Sequence, residues 1–225
     1  TAFLIDLADQ NVLKTSDFFN TDVLFISMPP SRTAEQTSYL TQIKWIAEVI
    51  AFKVKQVILI SSTGVYADDN WIVDESIPAN AASGNGKIMI DAEQYLQQQT
   101  GFTTTIIRFA GLIGPDRNLA KHFTGKTGIA NGLAPINLIH LTDCIGLSKA
   151  IITQKAFGNL YHGVSPNHPT RQDFYTKVCV AQGWEKPSFI AEKTNWKQIE
   201  SKNVPEVLAY RYVFDNWDKY IAATN

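Results

Sequence analysis

The sequence predicts an α/β protein: a doubly wound, mostly parallel sheet with a small α+β lobe toward the carboxyl end. Three observations carry this. First, QVILISSTGVY, residues 56–66, sets the apolar run Val57, Ile58, Leu59 and Ile60 directly before a cluster of small hydroxyl residues. An unbroken apolar run suits a strand covered by helices on both faces. Second, strand-like and helix-like patterns alternate between residues 2 and 109 in the order strand, strand, helix, strand, helix, strand. That alternation marks a parallel α/β sheet. Third, the strand-like runs end in hydroxyl, glycine or proline residues, and open α/β sheets bind ligands at the carboxyl ends of their strands.

The elements follow in order. Residues 2–5 read as a strand and 6–10 as the turn leaving it. Residues 23–26 read as a second strand, which opens into a loop at Pro29 and Pro30 because proline cannot donate to a ladder. Residues 34–50 read as a helix, with Tyr39, Ile43, Ile46 and Ile50 on one stripe facing the sheet. A second stripe, Trp45, Val49 and Phe52, reads either as packing under a loop or as a subunit contact in a homodimer. Residues 67–86 read as a polar loop and 87–99 as a helix with Ile88, Ala92, Tyr95 and Leu96 inward. TTTIIRF, residues 103–109, is a β-branched strand, followed by a loop over residues 110–115. Beyond Pro115 the pattern loosens. A short strand is expected at 136–141, a helix at 142–152 with Ile145, Ser148 and Ile152 on one side, and a strand at 160–164. Another helix is expected from Thr170, capped in the manner of a capping box by Asp173, with Phe174, Val178 and Ala181 inward. We therefore divide the chain into a nucleotide-binding part, residues 1–115, and a remainder, 116–225, that holds further sheet elements and the lobe.

Composition narrows the functional classes. Of 225 residues, 45% are hydrophobic and 18% charged, which is ample material for a core. A formal net charge of -1 gives no reason to expect nucleic acid or an anionic membrane as partner. No apolar stretch approaches the length of a membrane span. Cys144 and Cys179 fall in apolar helical contexts and read as buried free thiols of a cytoplasmic protein. The cysteines and histidines show no metal-ligand spacing.

SSTGVY, IIRFAGLIGP and INLIHLTD, in that order, resemble the extended and atypical short-chain dehydrogenase/reductases, the NAD(P)-binding epimerase/dehydratase-like proteins. PNHPTRQDFYTKVC is similar to a bacterial branch of them, the YeeZ-like proteins. The resemblance covers nearly the whole chain. It implies a Rossmann sheet with NAD or NADP across its carboxyl edge. It further implies that Asp6 and Leu7 lie near the adenine, and that Ser27, Met28 and Pro29 line the ribose and pyrophosphate side. Ser61, Ser62 and Thr63 would then lie beside the nicotinamide, with Ala110, Gly111, Leu112 and Ile113 over its other edge. Ser62 matches the family's substrate-orienting hydroxyl. Arg117 and Asn118 are candidates for contact with a small-molecule substrate, a nucleotide-sugar or another carbonyl or hydroxyl compound.

Two departures from the family pattern stand beside these matches. No GxGxxG occurs in the sequence. In the family that fingerprint lets the backbone reach the pyrophosphate at a helix N-terminus. The chain reads as though it opened at the family's third strand. It is therefore expected to be a fragment or a truncation whose sheet is completed by something else, with weak or absent dinucleotide affinity of its own. On that reading the strand at 2–5 lacks a neighbour, and 23–26 is an exposed apolar edge. The second departure is at the Tyr-x-x-x-Lys pair. Anchored on Ala92 and Glu93, the tyrosine position holds Asn85 and the lysine position Met89. Asn85 cannot act as the acid/base that a phenol provides. A dinucleotide-binding sensor without catalysis is therefore the rival reading. His140 reads as a strand end, and Thr142 or Asp143 as the cap of the following helix, in preference to catalytic groups. Arg108, inside a strand, is expected to be paired. His168 and Arg171 are read as structural.

Overall fold

The computed structural model describes residues 2–7, 9, 16–30 and 36–223. The chain packs as two interleaved units, one formed by residues 1–66, 79–108 and 155–160, the other by 67–78, 109–154 and 161–225. The chain thus passes between units at Arg108 and Phe109, inside a strand, as well as at the shorter crossings.

In the first unit, β1 (Val23–Ile26) runs parallel to β2 (Gln56–Ser62), with Val23 opposite Gln56 and Ile26 opposite Leu59. Val57, Ile58 and Leu59 are almost wholly buried, as the apolar run requires. β1 is the edge of this sheet, and β2 lies between β1 and β4 (Thr103–Phe109). Beyond β4 the sheet is continued by the backbone bond from Ile106 N to Asn159 O, 3.0 Å. Two helices cover the strands. In α1 (Gln36–Ile50) the predicted stripe of Tyr39, Ile43, Ile46 and Ile50 is buried. Full burial of an isoleucine such as Ile43 or Ile50 contributes roughly 1.5–3 kcal/mol. The expected helix start at residues 34–35 lies outside the described residues, as do residues 8 and 10 of the expected first turn. α2 (Gly84–Gln97) begins three positions before the expected 87, so that Asn85 falls in its first turn. Ala92 and Leu96 face inward as expected.

Two expectations fail in this unit. Residues 2–6 carry no strand. A strand requires a ladder, no described strand lies beside this segment, and Leu4 is fully exposed. The second stripe of α1 also does not form a face. Val49 is buried and Trp45 packs against the same core, while Phe52 lies past the helix end at φ 64°, 86% exposed. A left-handed residue turns the chain away from the helical stripe, so Phe52 does not extend it.

The second unit holds two short parallel pairs, β3 (Trp71–Val73) with β8 (Lys197–Ile199) and β5 (Gly111–Ile113) with β6 (Leu138–His140). β3 and β5 lie in stretches that the sequence presents as loops. Three-residue strands are too short for a period-2 pattern to declare itself, and their partners stand far along the chain. Helix α3 (Leu141–Thr153) follows β6. β7 (Leu160–Gly163) begins where expected, and α4 (Arg171–Ala181) is capped by Thr170, whose Oγ1 accepts from Asp173 N at 3.2 Å. α5 (Trp217–Ala223) closes the chain, and Trp217 and Tyr220 join Phe174 and Val178 in an aromatic-rich core.

The expected stripe of Ile145, Ser148 and Ile152 is the outer side of α3. Ile145 and Ile152 are exposed, at 54% and 41%, while Cys144, Leu147 and Ile151 are buried. The cause is Asp143. Its carboxylate is drawn inward by Val213 N at 2.7 Å, Phe214 N at 3.0 Å and the Tyr210 hydroxyl at 3.0 Å. Fixing Asp143 inside rotates the apolar positions one step from the pattern a purely hydrophobic reading selects.

Candidate functional site

In the first unit the parallel strands bring two loops to one edge. Because Ile26 pairs with Leu59, β1 ends opposite the middle of β2, and Ser27, Met28 and Pro29 follow at the same edge as Ser61, Ser62 and Thr63. Ser27 and Pro29 are exposed, and Met28 packs half-buried on the core. Asp6 is exposed and Leu7 half-buried against that core.

The hydroxyl cluster divides. Ser61, 4% exposed, donates to Glu93 Oε1 at 2.5 Å, so its side chain turns inward and is unavailable to a ligand. Thr63 is also buried. Ser62 remains half-exposed, and its Oγ accepts from Gly64 N at 3.0 Å. With the backbone N–H taken as donor, the Ser62 proton is free to be given to an oxygen of a bound molecule. Gly64 closes against the first turn of α2. A Cβ on Gly86 would stand 2.6 Å from Gly64 O and 2.7 Å from the Ala81 Cβ, so only glycine lets the helix start approach this edge.

Behind Ser61 lies a buried network that the sequence signalled only through Arg108. The guanidinium donates to Glu93 Oε1 at 3.1 Å from Nε, to Glu93 Oε2 at 2.5 Å and to the Tyr66 hydroxyl at 2.5 Å. Burial opposes the guanidinium's charge, but Glu93 and Tyr66 outweigh it and its pKa stands above the ordinary value. Glu93 thereby ties β2, α2 and β4 together immediately beneath the strand end. Tyr66, buried and bonded in this way, is not an exposed acid. Asn85 is exposed, Met89 is half-buried one turn later, and Lys87 pairs with Asp91.

The remaining candidates lie in the second unit. Ala110 and Ile113 are buried, while Leu112 is exposed on β5. Asn118 accepts from Ala120 N at 3.0 Å and caps the short turn Leu119–His122, a structural task that occupies its side-chain oxygen. Arg117 stays exposed, held by a tight backbone turn with Gly114. It lines a cavity of about 910 Å³ whose wall also includes Lys121, His122, His140, Trp184, Phe214 and Tyr220. The cavity was not foreseen, because its wall gathers residues between 114 and 220. His140, expected only to end its strand, accepts from Thr142 N through Nδ1 at 3.2 Å and so caps α3 itself, in place of the expected Thr142 or Asp143. His168 bonds Ile136 O at 2.8 Å, and Arg171 donates to Ala130 O at 2.8 Å, both structural as read. Burial and the neighbouring Asp143 push the Cys144 thiol up to about 12, an inert free cysteine.

With this geometry in view, the likeness to known proteins can be stated. The chain is 28% identical over 220 residues to Protein YeeZ of Escherichia coli K12, covering 95% of this chain and 80% of that protein. The chain is a YeeZ homologue. No family model matches it. Among solved structures it superposes on a functionally unknown conserved protein from Silicibacter pomeroyi, with TM-score 0.75 at 22% identity over 90% of this chain and 76% of that one. It also superposes on the human epimerase family protein SDR39U1 with NADPH, with TM-score 0.76 at 14% identity over 96% of this chain and 85% of that one. A third is the dTDP-glucose 4,6-dehydratase DesIV from Streptomyces venezuelae with NAD bound, TM-score 0.79 at 15% identity, covering 97% and 76% of the two chains. The YeeZ-like chain thus has the Rossmann-like fold of the epimerase/dehydratases, in agreement with the resemblance its strand-end motifs carry.

Proposed function

We propose that this YeeZ-like chain contributes to a nicotinamide dinucleotide site of the atypical short-chain dehydrogenase/reductase type and acts on a small molecule with a carbonyl or hydroxyl group. The observation that carries the reading is Ser62. It is the one member of the hydroxyl cluster that is half-exposed and has its proton free, at the carboxyl end of the most buried strand. The residues at this edge fit the ribose and ring portions of NAD or NADP. Ser27 and Ser62 offer hydroxyls, and Met28 offers an apolar wall. Bound there, the nicotinamide would supply hydride chemistry. The protein's part is narrower. The Glu93–Arg108 pair fixes the strand end, and Ser62 donates to the substrate oxygen. Among the described residues no base is bonded to Ser62, which serves to orient, not to attack. We read the protein as cytoplasmic, in keeping with its buried free thiols.

The inert-sensor reading is favoured by a separate observation. Asn85 and Met89 occupy the positions that the family pattern gives to tyrosine and lysine, and Tyr66 is locked in the core. Fluorescence titration of the intact gene product with NADH and NADPH, followed by a hydride-transfer screen, separates the two. Turnover that is lost in Ser62→Ala supports the enzyme. Dinucleotide binding without turnover, indifferent to Ser62→Ala, supports the sensor. Absence of binding to either dinucleotide overturns both.

A further inference from the structure

Asparagine followed by glycine occurs twice in the chain, at Asn85–Gly86 in the first unit and at Asn131–Gly132 in the second. The pair is chemically reactive. The glycine nitrogen can close a cyclic imide on the asparagine side-chain carbonyl, and a glycine, with no Cβ, neither screens that nitrogen nor restricts the turn that brings the two atoms together. Closure requires both groups to be free of other bonds.

The fold treats the two pairs differently. At Asn131 both reacting groups are held. Its Oδ1 accepts from Thr194 N at 2.8 Å, from Thr194 Oγ1 at 2.9 Å and from Asn195 N at 3.4 Å. The Gly132 N–H donates to Ile190 O at 2.9 Å. Each of these bonds must break before a ring can form. At Asn85 neither group is held. The side chain is exposed and bonds to nothing among the described residues. Ser83, at the N-cap of α2, gives no side-chain bond, and the Gly86 N–H meets no acceptor among the described residues. Gly84 stands at φ 64°, off the helical path. A first turn with two glycines and no side-chain cap opens at little cost.

We propose that Asn85 is a site of spontaneous deamidation and that the fold protects Asn131 from the same reaction. A base in solution takes the Gly86 amide proton, and the nitrogen attacks Asn85 Cγ. The C–N bond of the side-chain amide breaks, and ammonia leaves with a proton from solvent. Water then opens the imide at either carbonyl, giving aspartate or isoaspartate. The net change is hydrolysis of one amide, with nothing oxidised or reduced. The product carries a new carboxylate at the start of α2, against the Gly64 turn that follows Ser62. Where isoaspartate forms, the backbone gains a carbon next to Gly86, whose approach to Gly64 O leaves no room even for a Cβ. The reaction is independent of the dinucleotide reading.

The test ages the full chain at neutral and at mildly alkaline pH and follows both Asn-Gly peptides by mass spectrometry, with isoaspartate separated from aspartate by chromatography. A parallel sample is aged in urea. In the native protein Asn85 should deamidate at least about tenfold faster than Asn131, faster still at the higher pH, and isoelectric focusing should show a new, more acidic band. In urea the two rates should converge, since only the fold separates them. Asn85→Gln, whose longer side chain closes the ring poorly, should remove the acidic band without moving the melting temperature. Equal rates in the native protein, faster reaction at Asn131, a gap that persists in urea, or an Asn85 that reacts in urea but not in the native protein overturns the proposal.

Discussion

Glu93 and Asp143 are both carboxylates with almost no exposure, one in each unit, and the molecule keeps their charges in different ways. Glu93 is met by a full opposite charge, the two-point contact of Arg108, with Ser61 adding a third donor. Asp143 has no cation bonded to it among the described residues. Two backbone N–H groups and the Tyr210 phenol surround it instead, and burial, together with the carboxylate beside that phenol, raises the tyrosine's pKa. The first arrangement joins three elements of a sheet and its covering helix. The second pins the irregular segment around 210–214 to the start of α3. A buried pair of charges is costly to break on one side and cheap to replace as a whole. A carboxylate held by backbone donors has no such replacement, because the N–H groups remain when the side chain is removed.

The largest effect should come from breaking the pair. Glu93→Ala leaves the guanidinium buried and uncompensated and should cost about 3–5 kcal/mol in chemical denaturation. Glu93→Leu combined with Arg108→Met should recover most of that loss. A double variant as unstable as the single one would mean that Tyr66 and Ser61, not the pair, set the cost. Next is Asp143→Ala, which orphans Val213 N and Phe214 N and should lose about 1–3 kcal/mol. Proteolysis should then cut first near 210–214, since that segment loses its anchor. Tyr210→Phe removes a single bond to the carboxylate and should lose about 1 kcal/mol, with the same cleavage pattern in weaker form.

The smallest effect is that of pH on the Asp143 side. His140 has its pKa lowered by burial, with Asp143 opposing. A histidine depressed in the folded state contributes stability that is present above its unfolded pKa, near 6.5, and is lost as pH falls through that value and below. Wild-type melting temperature should therefore decline from pH 7 toward pH 5 slightly more steeply than that of His140→Ser. Parallel curves would assign the decline to other groups.

Much of the first unit was legible in the chain. Val57, Ile58 and Leu59 of the apolar run and the stripe Tyr39, Ile43, Ile46 and Ile50 are buried as their patterns require, because each pattern exceeds one period of its element. Arg108 in mid-strand announced a partner, since a buried guanidinium needs one. The hydroxyl cluster was readable as a strand end but not in its parts. Which of Ser61, Ser62 and Thr63 faces solvent follows from the strand's alternation combined with the position of Glu93, which stands 32 residues further on. In the second unit the buried side of α3 was not legible, because the donors that bury Asp143 come from residues 210, 213 and 214. The short strands β3 and β5 were missed for a related reason: their partners are remote and their length carries no period.

The amino-acid sequence alone determined the alternation of strands and helices and the parallel class of the sheet, since these rest on local apolar periodicity and on residues that end strands. The tertiary structure decided that Ser62 and not Ser61 is free to donate, that Asn131 is held while Asn85 is not, and that Arg117, Lys121 and Tyr220 share a cavity wall. Each of these depends on hydrogen bonds or packing between residues distant along the chain, and no local pattern encodes which distant donor a buried carboxylate will find.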